Sequence, residues 1–125
     1  MKFILLCVVL VFCANILNAQ SFEKTKNLAV QGDPLAQFEL GSMYKKGLGT
    51  RLDKREAFYW FRKSAEQGNP YAQINLGAMY YKGEGTPRDR KKAFYWFKRA
   101  PKDMVSSSEW LAITFLKFTL WVKDG

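Results

Sequence analysis

Residues 31–37 read QGDPLAQ, and the same phrase returns as QGNPYAQ at residues 67–73. The two copies run on to FYWF at residues 58–61 and at residues 94–97. The offset is 36 residues in both places, so the copies align without a gap. A constant spacing of this size is typical of a solenoid, in which one supersecondary unit is stacked on the next.

Each copy predicts two helices joined by a glycine-containing loop. Asp33 and Asn69 can cap the first helix, called helix A, and the proline after each of them suits the first helical position. The Gly-x-Gly sequences at 47–49 and 83–85 predict a left-handed helix end followed by a turn. Asp53 is then placed to cap the second helix, called helix B, with Glu56 completing a capping box.

Two further features recur in both copies. Gly41 and Gly77 lie inside helix A, where glycine costs about 1 kcal/mol relative to alanine. We therefore expect a neighbouring helix to pass too close at this point for a side chain. In helix B the apolar spacing predicts a buried face that includes Trp60, and it leaves Tyr59 and Tyr95 on the polar side.

The first 19 residues are typical of a secretory signal peptide, with Lys2 ahead of an apolar run at 3–17 and a small residue, Ala19, at the end. We predict cleavage after Ala19 and a secreted or periplasmic location, with an uncleaved membrane anchor as the alternative. Because Phe22 is equivalent to Phe58, residues 20–31 predict a lone helix B, a half repeat that caps the array. The full repeats are then 32–66 and 67–101.

Residues 102–125 depart from the repeat. Pro101 stands where the first copy has Ala65, so helix B of the second copy is expected to end near it. The segment that follows is apolar on nearly all sides. Three interpretations stay open: a C-terminal capping helix, a truncated or frame-shifted tail, or a helix that contacts a partner or a membrane.

The composition excludes several kinds of reactive site and favours one class of partner. The chain has no histidine, and both cysteines, Cys7 and Cys13, belong to the leader. The processed chain would therefore lack the residues of disulfides, thiolate nucleophiles, common zinc sites and histidine-based triads, and we predict no cofactor and no metal. The net charge of +9 favours anionic partners, which outside the cytoplasm means acidic proteins or an anionic envelope component rather than nucleic acid. A solvated basic face is the simpler alternative.

The conserved spacing in the two copies resembles the Sel1-like repeat, a relative of the tetratricopeptide repeat, with the second match running over residues 68–96. The resemblance implies an all-α fold, a short right-handed α-solenoid of antiparallel helix pairs. It also implies a non-catalytic scaffold for protein–protein interaction, often in bacterial envelopes or secreted factors. The residues that carry the resemblance in the first copy are Gly32, Ala36, Gln37, Leu40, Gly41, Met43, Tyr44, Gly47, Gly49, Asp53, Ala57 and Trp60.

In related superhelices helix A lines the inner surface, so exposed positions on helix A are the expected contacts for a protein or peptide partner. Gln37 and its equivalent Gln73 have an alternative role as buried amides bonded to the neighbouring backbone. The two exposed tyrosines of helix B are added as binding aromatics. The candidate residues are Gln37, Glu39, Ser42, Lys45, Lys46, Asn75, Tyr81 and Lys82, with Tyr59 and Tyr95.

A catalytic alternative is a cell-wall hydrolase or a β-lactam-binding enzyme. Residues 42–45 and 21–24 both read S-x-x-K, the pattern of an activated serine. Neither is accompanied by an S-D-N or K-T-G sequence, and the second copy has Ala78 and Tyr81 at the positions of Ser42 and Lys45. We therefore predict a chain that is not an enzyme.

Overall fold

The computed structural model describes residues 1–104 and, beyond them, residues 111, 114, 115, 117, 119 and 122. Over residues 1–104 the chain forms five α-helices, a final 3₁₀ turn at Lys102–Met104 and no strand. Each helix packs against the next along the chain, which gives the predicted short α-solenoid. The helices are α1 (Lys2–Val30), α2 (Pro34–Lys46), α3 (Lys54–Glu66), α4 (Pro70–Lys82) and α5 (Arg90–Arg99).

The helix A segments, α2 and α4, begin at the predicted caps. The carboxylate of Asp33 accepts a hydrogen bond from the Ala36 amide at 3.0 Å, and the side chain of Asn69 accepts one from Ala72 at 3.0 Å. Both helices have proline at their first position. Since these bonds satisfy amides that lack intrahelical partners, the duplicated sequence fixes the start of each repeat.

Helix A ends and helix B begins through a short glycine loop. Gly47 and Gly83 adopt left-handed conformations with φ of 71° and 74°. Asp53 then caps α3 by accepting from the amides of Arg55 and Glu56, at 2.9 and 3.1 Å. The capping box predicted for Glu56 is wrong in one respect, because the Asp53 amide donates to the Tyr44 carbonyl at 2.9 Å and leaves the Glu56 side chain no role there.

The close approach at the helix A glycines is confirmed. A Cβ built on Gly41 would lie 2.9 Å from Cδ1 of Phe61, and one on Gly77 would lie 2.9 Å from Cδ1 of Phe97. The neighbour is therefore an aromatic ring of helix B in the same repeat. Phe61 is fully buried, so the ring has little freedom to move aside.

The core consists of two clusters stacked along the array. The first joins α1, α2 and α3 through Phe22, Ala29, Ala36, Leu40 and Trp60. The second joins α3, α4 and α5, and it is centred on buried residues that repeat the same pattern. Its buried members are Ala57, Phe61, Ala65, Ala72, Leu76, Met79, Tyr80, Ala93, Phe97 and Ala100.

The first helix spans both the predicted leader and the predicted half repeat. Residues 21–30 are helical, and Phe22, Thr25 and Ala29 are buried. The helix does not begin at residue 20, however, but runs unbroken from Lys2 through the predicted cleavage point. Its apolar first half is exposed, and within the described residues α1 is the one helix long and apolar enough to cross a membrane.

The second helix B ends where proline predicts. The last residue of α5 is Arg99, and Ala100 adopts an extended conformation with ψ of 146°. Proline disfavours helical geometry in the residue before it, so Pro101 accounts for this end. The three interpretations of residues 102–125 stay open, because in this segment the structure describes residues 102–104, 111, 114, 115, 117, 119 and 122 and no others.

Candidate functional site

A shallow groove of about 500 Å³ lies between α1 and α2. Two apolar side chains, Phe38 and Met43, line it together with charged and hydroxyl groups. Such a mixture suits a polypeptide, which offers both apolar and hydrogen-bonding groups. The groove is lined by Ser21, Thr25, Phe38, Glu39, Ser42, Met43 and Lys46.

Three of the predicted contact residues meet in this groove. Glu39 and Lys46 are exposed and Ser42 is half-buried. They follow one another on α2 at spacings of three and four residues, which place side chains on one face of a helix. The half repeat contributes the other wall through Ser21 and Thr25, which were not among the predicted contacts.

Gln37 does not belong to this accessible surface. It is 3% exposed, and its Nε2 donates to the Ala29 carbonyl at 3.1 Å. Its Oε1 accepts from Nε2 of Gln67 at 2.6 Å. Gln73 repeats the first bond, donating to the Ala65 carbonyl at 3.3 Å. Gln37 is therefore removed from the contact candidates, and the alternative role as a buried amide is the one that the structure supports.

Lys45 and Asn75 meet at the junction between the repeats. Nζ of Lys45 donates to Oδ1 of Asn75 at 3.4 Å, and Nδ2 of Asn75 donates to the Tyr71 carbonyl at 2.9 Å. Burial lowers the pKa of Lys45 below its ordinary value of 10.5, while the Glu84 carboxylate acts in the opposite direction and nearby lysines lower the pKa further. Because Lys45 is half-buried and bonded across the junction, it contributes to the packing of the repeats.

The remaining helix A candidates lie at the end of α4. Tyr81 is half-buried, and the guanidinium of Arg88 lies over its ring at 5.6 Å from the centroid. Lys82 is exposed. Neither residue lines the groove between α1 and α2, so the eight helix A candidates do not form one continuous site.

The S-x-x-K geometry on α2 offers no activated serine. The hydroxyl of Ser42 donates to the Phe38 carbonyl at 3.0 Å, and Lys45 donates to Asn75. An activated nucleophile requires a base within hydrogen-bonding reach of its own proton. The Ser42 proton is directed instead at the backbone of the preceding turn, an arrangement common for serine inside a helix.

Tyr59 and Tyr95 lie on the helix B segments and are exposed. Nζ of Lys63 lies 5.0 Å from the Tyr59 ring centroid, and the guanidinium of Arg99 lies 5.6 Å from that of Tyr95. Each tyrosine also packs edge to face against the tryptophan that follows it. The two copies thus present the same exposed pair, one aromatic ring and one cation.

The positive charge is concentrated on the B helices, which the prediction from helix A lysines missed. The segments α3 and α5 hold nine basic and two acidic residues, whereas α2 and α4 hold three basic residues and one acidic. A count of charges helix by helix, rather than over the whole chain, would have found this asymmetry.

Comparison with known proteins supports the repeat assignment. A model described as "Sel1 repeat" matches residues 34–69 and 70–100. No curated protein matches. Among solved structures, the chain is similar to a protective antigen of uropathogenic Escherichia coli that displays an SLR fold, with 40% identity and a TM-score of 0.66 over 69% of this chain and 18% of the antigen.

A Sel1 repeat protein from Oxalobacter formigenes is also similar, with 36% identity and a TM-score of 0.65 over 66% of this chain and 34% of that protein. The chain thus spans about a fifth and a third of the lengths of these two structures. Two adjacent family matches cover most of the two predicted repeats. The chain belongs to the Sel1 repeat family.

Proposed function

We propose that this chain is a non-catalytic scaffold that acts outside the cytoplasm and binds a protein segment in the groove between α1 and α2. Sel1 repeats generally mediate protein–protein interaction, and the apolar start of α1 is compatible with a signal peptide. The observation that carries the proposal is the groove itself, where Phe38 and Met43 lie beside Glu39 and Lys46.

The groove favours an extended or helical segment that pairs one apolar side chain with an acidic group. Phe38 and Met43 supply the apolar contact, and Lys46 is the exposed cation at the end of α2. A buried aromatic or aliphatic anchor surrounded by polar contacts is the usual way in which such a surface gains affinity. An anionic envelope component is the alternative partner, and the charge asymmetry favours a different surface for it, discussed below.

Site-specific photo-crosslinking tests the groove. A photoreactive residue at Ser42 should capture the partner in cells, and one at the exposed Arg62 on α3 should not. Lys46→Glu should reduce the capture at position 42, because it places a negative charge where we expect an acidic group. Equal capture from positions 42 and 62, or capture that Lys46→Glu leaves unchanged, would remove the groove as the binding site.

We further propose that the chain does not turn over β-lactams or cell-wall peptides. Incubation with a fluorescent β-lactam, followed by mass spectrometry, should detect no acyl adduct on Ser42 in the wild type. Ser42→Ala is the matched control for background labelling. An adduct on Ser42 that the control lacks would instead establish acyl-transfer chemistry at this residue.

A further inference from the structure

The outward-facing side chains of α3 and α5 form a strongly basic surface, called here the B-helix surface. All nine basic residues of the two helices are exposed. On α5 five basic residues stand without any acidic residue in the same helix. Three of the nine cations pair with carboxylates, Arg62 with Glu66 at 2.9 Å, Lys54 with Glu84 at 3.2 Å and Lys92 with Asp89 at 3.9 Å. The basic residues are Lys54, Arg55, Arg62, Lys63, Arg90, Lys91, Lys92, Lys98 and Arg99.

Exposed aromatic rings lie within this positive field. Tyr59 is 46% exposed and Tyr95 is 51% exposed. Arg99 donates from Nη1 to the Tyr95 hydroxyl at 2.7 Å, which fixes the second ring relative to its cation. The packing of each tyrosine against a tryptophan, with ring centroids 5.1 and 5.2 Å apart, restricts the rings further. The Tyr95–Arg99 pair is therefore ordered before a ligand arrives, which reduces the entropic cost of binding.

We propose that the B-helix surface binds an anionic polysaccharide, with Tyr59 and Tyr95 against sugar rings and Lys63 and Arg99 paired with the acidic groups. The proposal rests on the extracytoplasmic location proposed above, but not on the protein partner. The aromatic face carries a negative quadrupole that attracts the C–H groups of a sugar ring. The same position on two successive repeats suits a ligand that is itself a repeating polymer.

A lipid surface fits this pattern less well. Among the described residues of α3 and α5, the large hydrophobic side chains that are substantially exposed are Tyr59 and Tyr95. Peripheral membrane helices generally insert several leucine, phenylalanine or tryptophan side chains. A polymer that lies across the surface requires only the two rings and the surrounding cations.

Binding to polygalacturonate, a polymer of acidic sugars, tests the proposal with the full chain purified as the cell processes it. We expect binding that weakens with salt, because the basic side chains release counterions that are condensed on a polyanion. The neutral polymer dextran should bind at least about tenfold more weakly, a difference of about 1.4 kcal/mol. Tyr59→Ala with Tyr95→Ala should also lower the affinity about tenfold. Tyr59→Phe with Tyr95→Phe should retain most of the affinity, because both rings remain and only the bond from Arg99 to the Tyr95 hydroxyl is lost.

A matched pair of charge reversals separates the surface from the net charge. Lys63→Glu with Arg99→Glu should abolish binding to polygalacturonate, whereas Lys46→Glu with Lys82→Glu makes the same change in net charge on helix A and should preserve most of it. Equal losses in the two variants would show that only the overall charge matters. Full binding by the tyrosine-to-alanine variant, or tighter binding to phosphatidylglycerol vesicles that depends on the same residues, would overturn the proposal.

Discussion

At the scale of single residues, the polar groups inside the repeats hold the helices in register. Gln37 bonds to the backbone of α1 and to Gln67, and Gln73 repeats the first of these bonds. A buried amide that lost its partners would cost roughly 1 to 3 kcal/mol, so these glutamines belong to the architecture rather than to a binding surface.

Lys45 gives a residue-level prediction in which stability depends on pH. Since burial lowers its pKa in the folded state, the unfolded chain binds more protons between that lowered pKa and 10.5. The wild type should therefore gain stability as the pH rises through this window. Lys45→Met keeps much of the aliphatic stem but has no proton to lose, so it should be the more stable form at neutral pH and should lose its advantage in alkali.

Urea denaturation at pH 7 and near pH 10 would measure this difference. Lys45→Arg is the matched control, because a guanidinium stays charged throughout the window. Like Lys45→Met, this variant should not gain stability from position 45 as the pH rises. The prediction would be wrong if the two forms differed by the same free energy of unfolding at both pH values. The bond to Asn75 would then stabilise the charged amine of Lys45 as well as water does in the unfolded chain.

Residues also show how far the sequence alone could reach. The caps at Asp33 and Asn69 and the left-handed glycines at 47 and 83 were predictable because they depend on neighbours along the chain. The cost of glycine inside helix A predicted a close approach, but only the structure identified its partner as the Phe61 ring. The partners of Gln37 lie on other helices, so local spacing left its role open.

At the scale of elements, the second glycine of each loop joins one repeat to the one before it. A Cβ on Gly85 would overlap the carbonyl of Lys54, the first residue of α3, and φ at Gly85 is 68°. The loop of the second repeat is therefore seated on the start of helix B of the first. Backbone packs on backbone at this contact, so no side-chain movement can relieve an added atom.

Gly85→Ala should consequently destabilise the fold more than Gly83→Ala. The two glycines have similar φ values, 68° and 74°, so alanine carries the same penalty of roughly 1 to 2 kcal/mol at both for a left-handed conformation. At Gly83 the nearest atom to a Cβ, Cβ of Arg88, is 3.3 Å away. The overlap at Gly85 should add about 1 to 3 kcal/mol.

The free energies of unfolding of the two variants, measured in urea, provide the comparison. Gly83→Ala serves as the control because it carries the same cost of the backbone conformation, with contacts of 3.3 Å to Arg88 in place of the overlap at Gly85. If both variants lost the same free energy of unfolding, the contact between Gly85 and the Lys54 carbonyl would contribute nothing to the coupling between repeats.

One wall of the groove is predictable from the sequence and the other is not. Glu39, Ser42 and Lys46 share a helical face, which their spacing predicts, but the opposite wall comes from Ser21 and Thr25 on α1. The distance between two helices depends on the core that separates them, and that information is not local. Local spacing also treats the eight helix A candidates as one surface. The structure divides them between the groove, the junction of the repeats, the end of α4 and, for Gln37, the interior.

At the scale of the whole molecule, the chain presents two surfaces of different chemistry. The groove between α1 and α2 is mixed, whereas the helix B segments are basic. Under the two proposals above, a protein partner and an anionic polymer would bind at separate places, so neither ligand would have to displace the other. Charge reversal on one surface should therefore leave the other function intact.

The predicted leader contacts the loop of the first repeat at Gly49. This contact is equivalent, by the 36-residue offset, to the contact between Gly85 and Lys54. The position equivalent to Lys54 is Asn18, and a Cβ on Gly49 would overlap the Asn18 carbonyl. Cleavage after Ala19 would remove Asn18, so Gly49 would lose the backbone contact that Gly85 keeps with Lys54. Contact with Cβ of Phe22, at 3.0 Å from a Cβ on Gly49, would remain.

We therefore expect Gly49→Ala to destabilise the processed chain less than Gly85→Ala, although the φ values of 70° and 68° are nearly the same. The mass of the purified protein, which we expect to begin at Gln20, and the unfolding of both variants in urea would be measured on the same samples. Equal destabilisation, together with a mass that includes residues 1–19, would instead show that α1 is retained whole and continues into the solenoid without a linker.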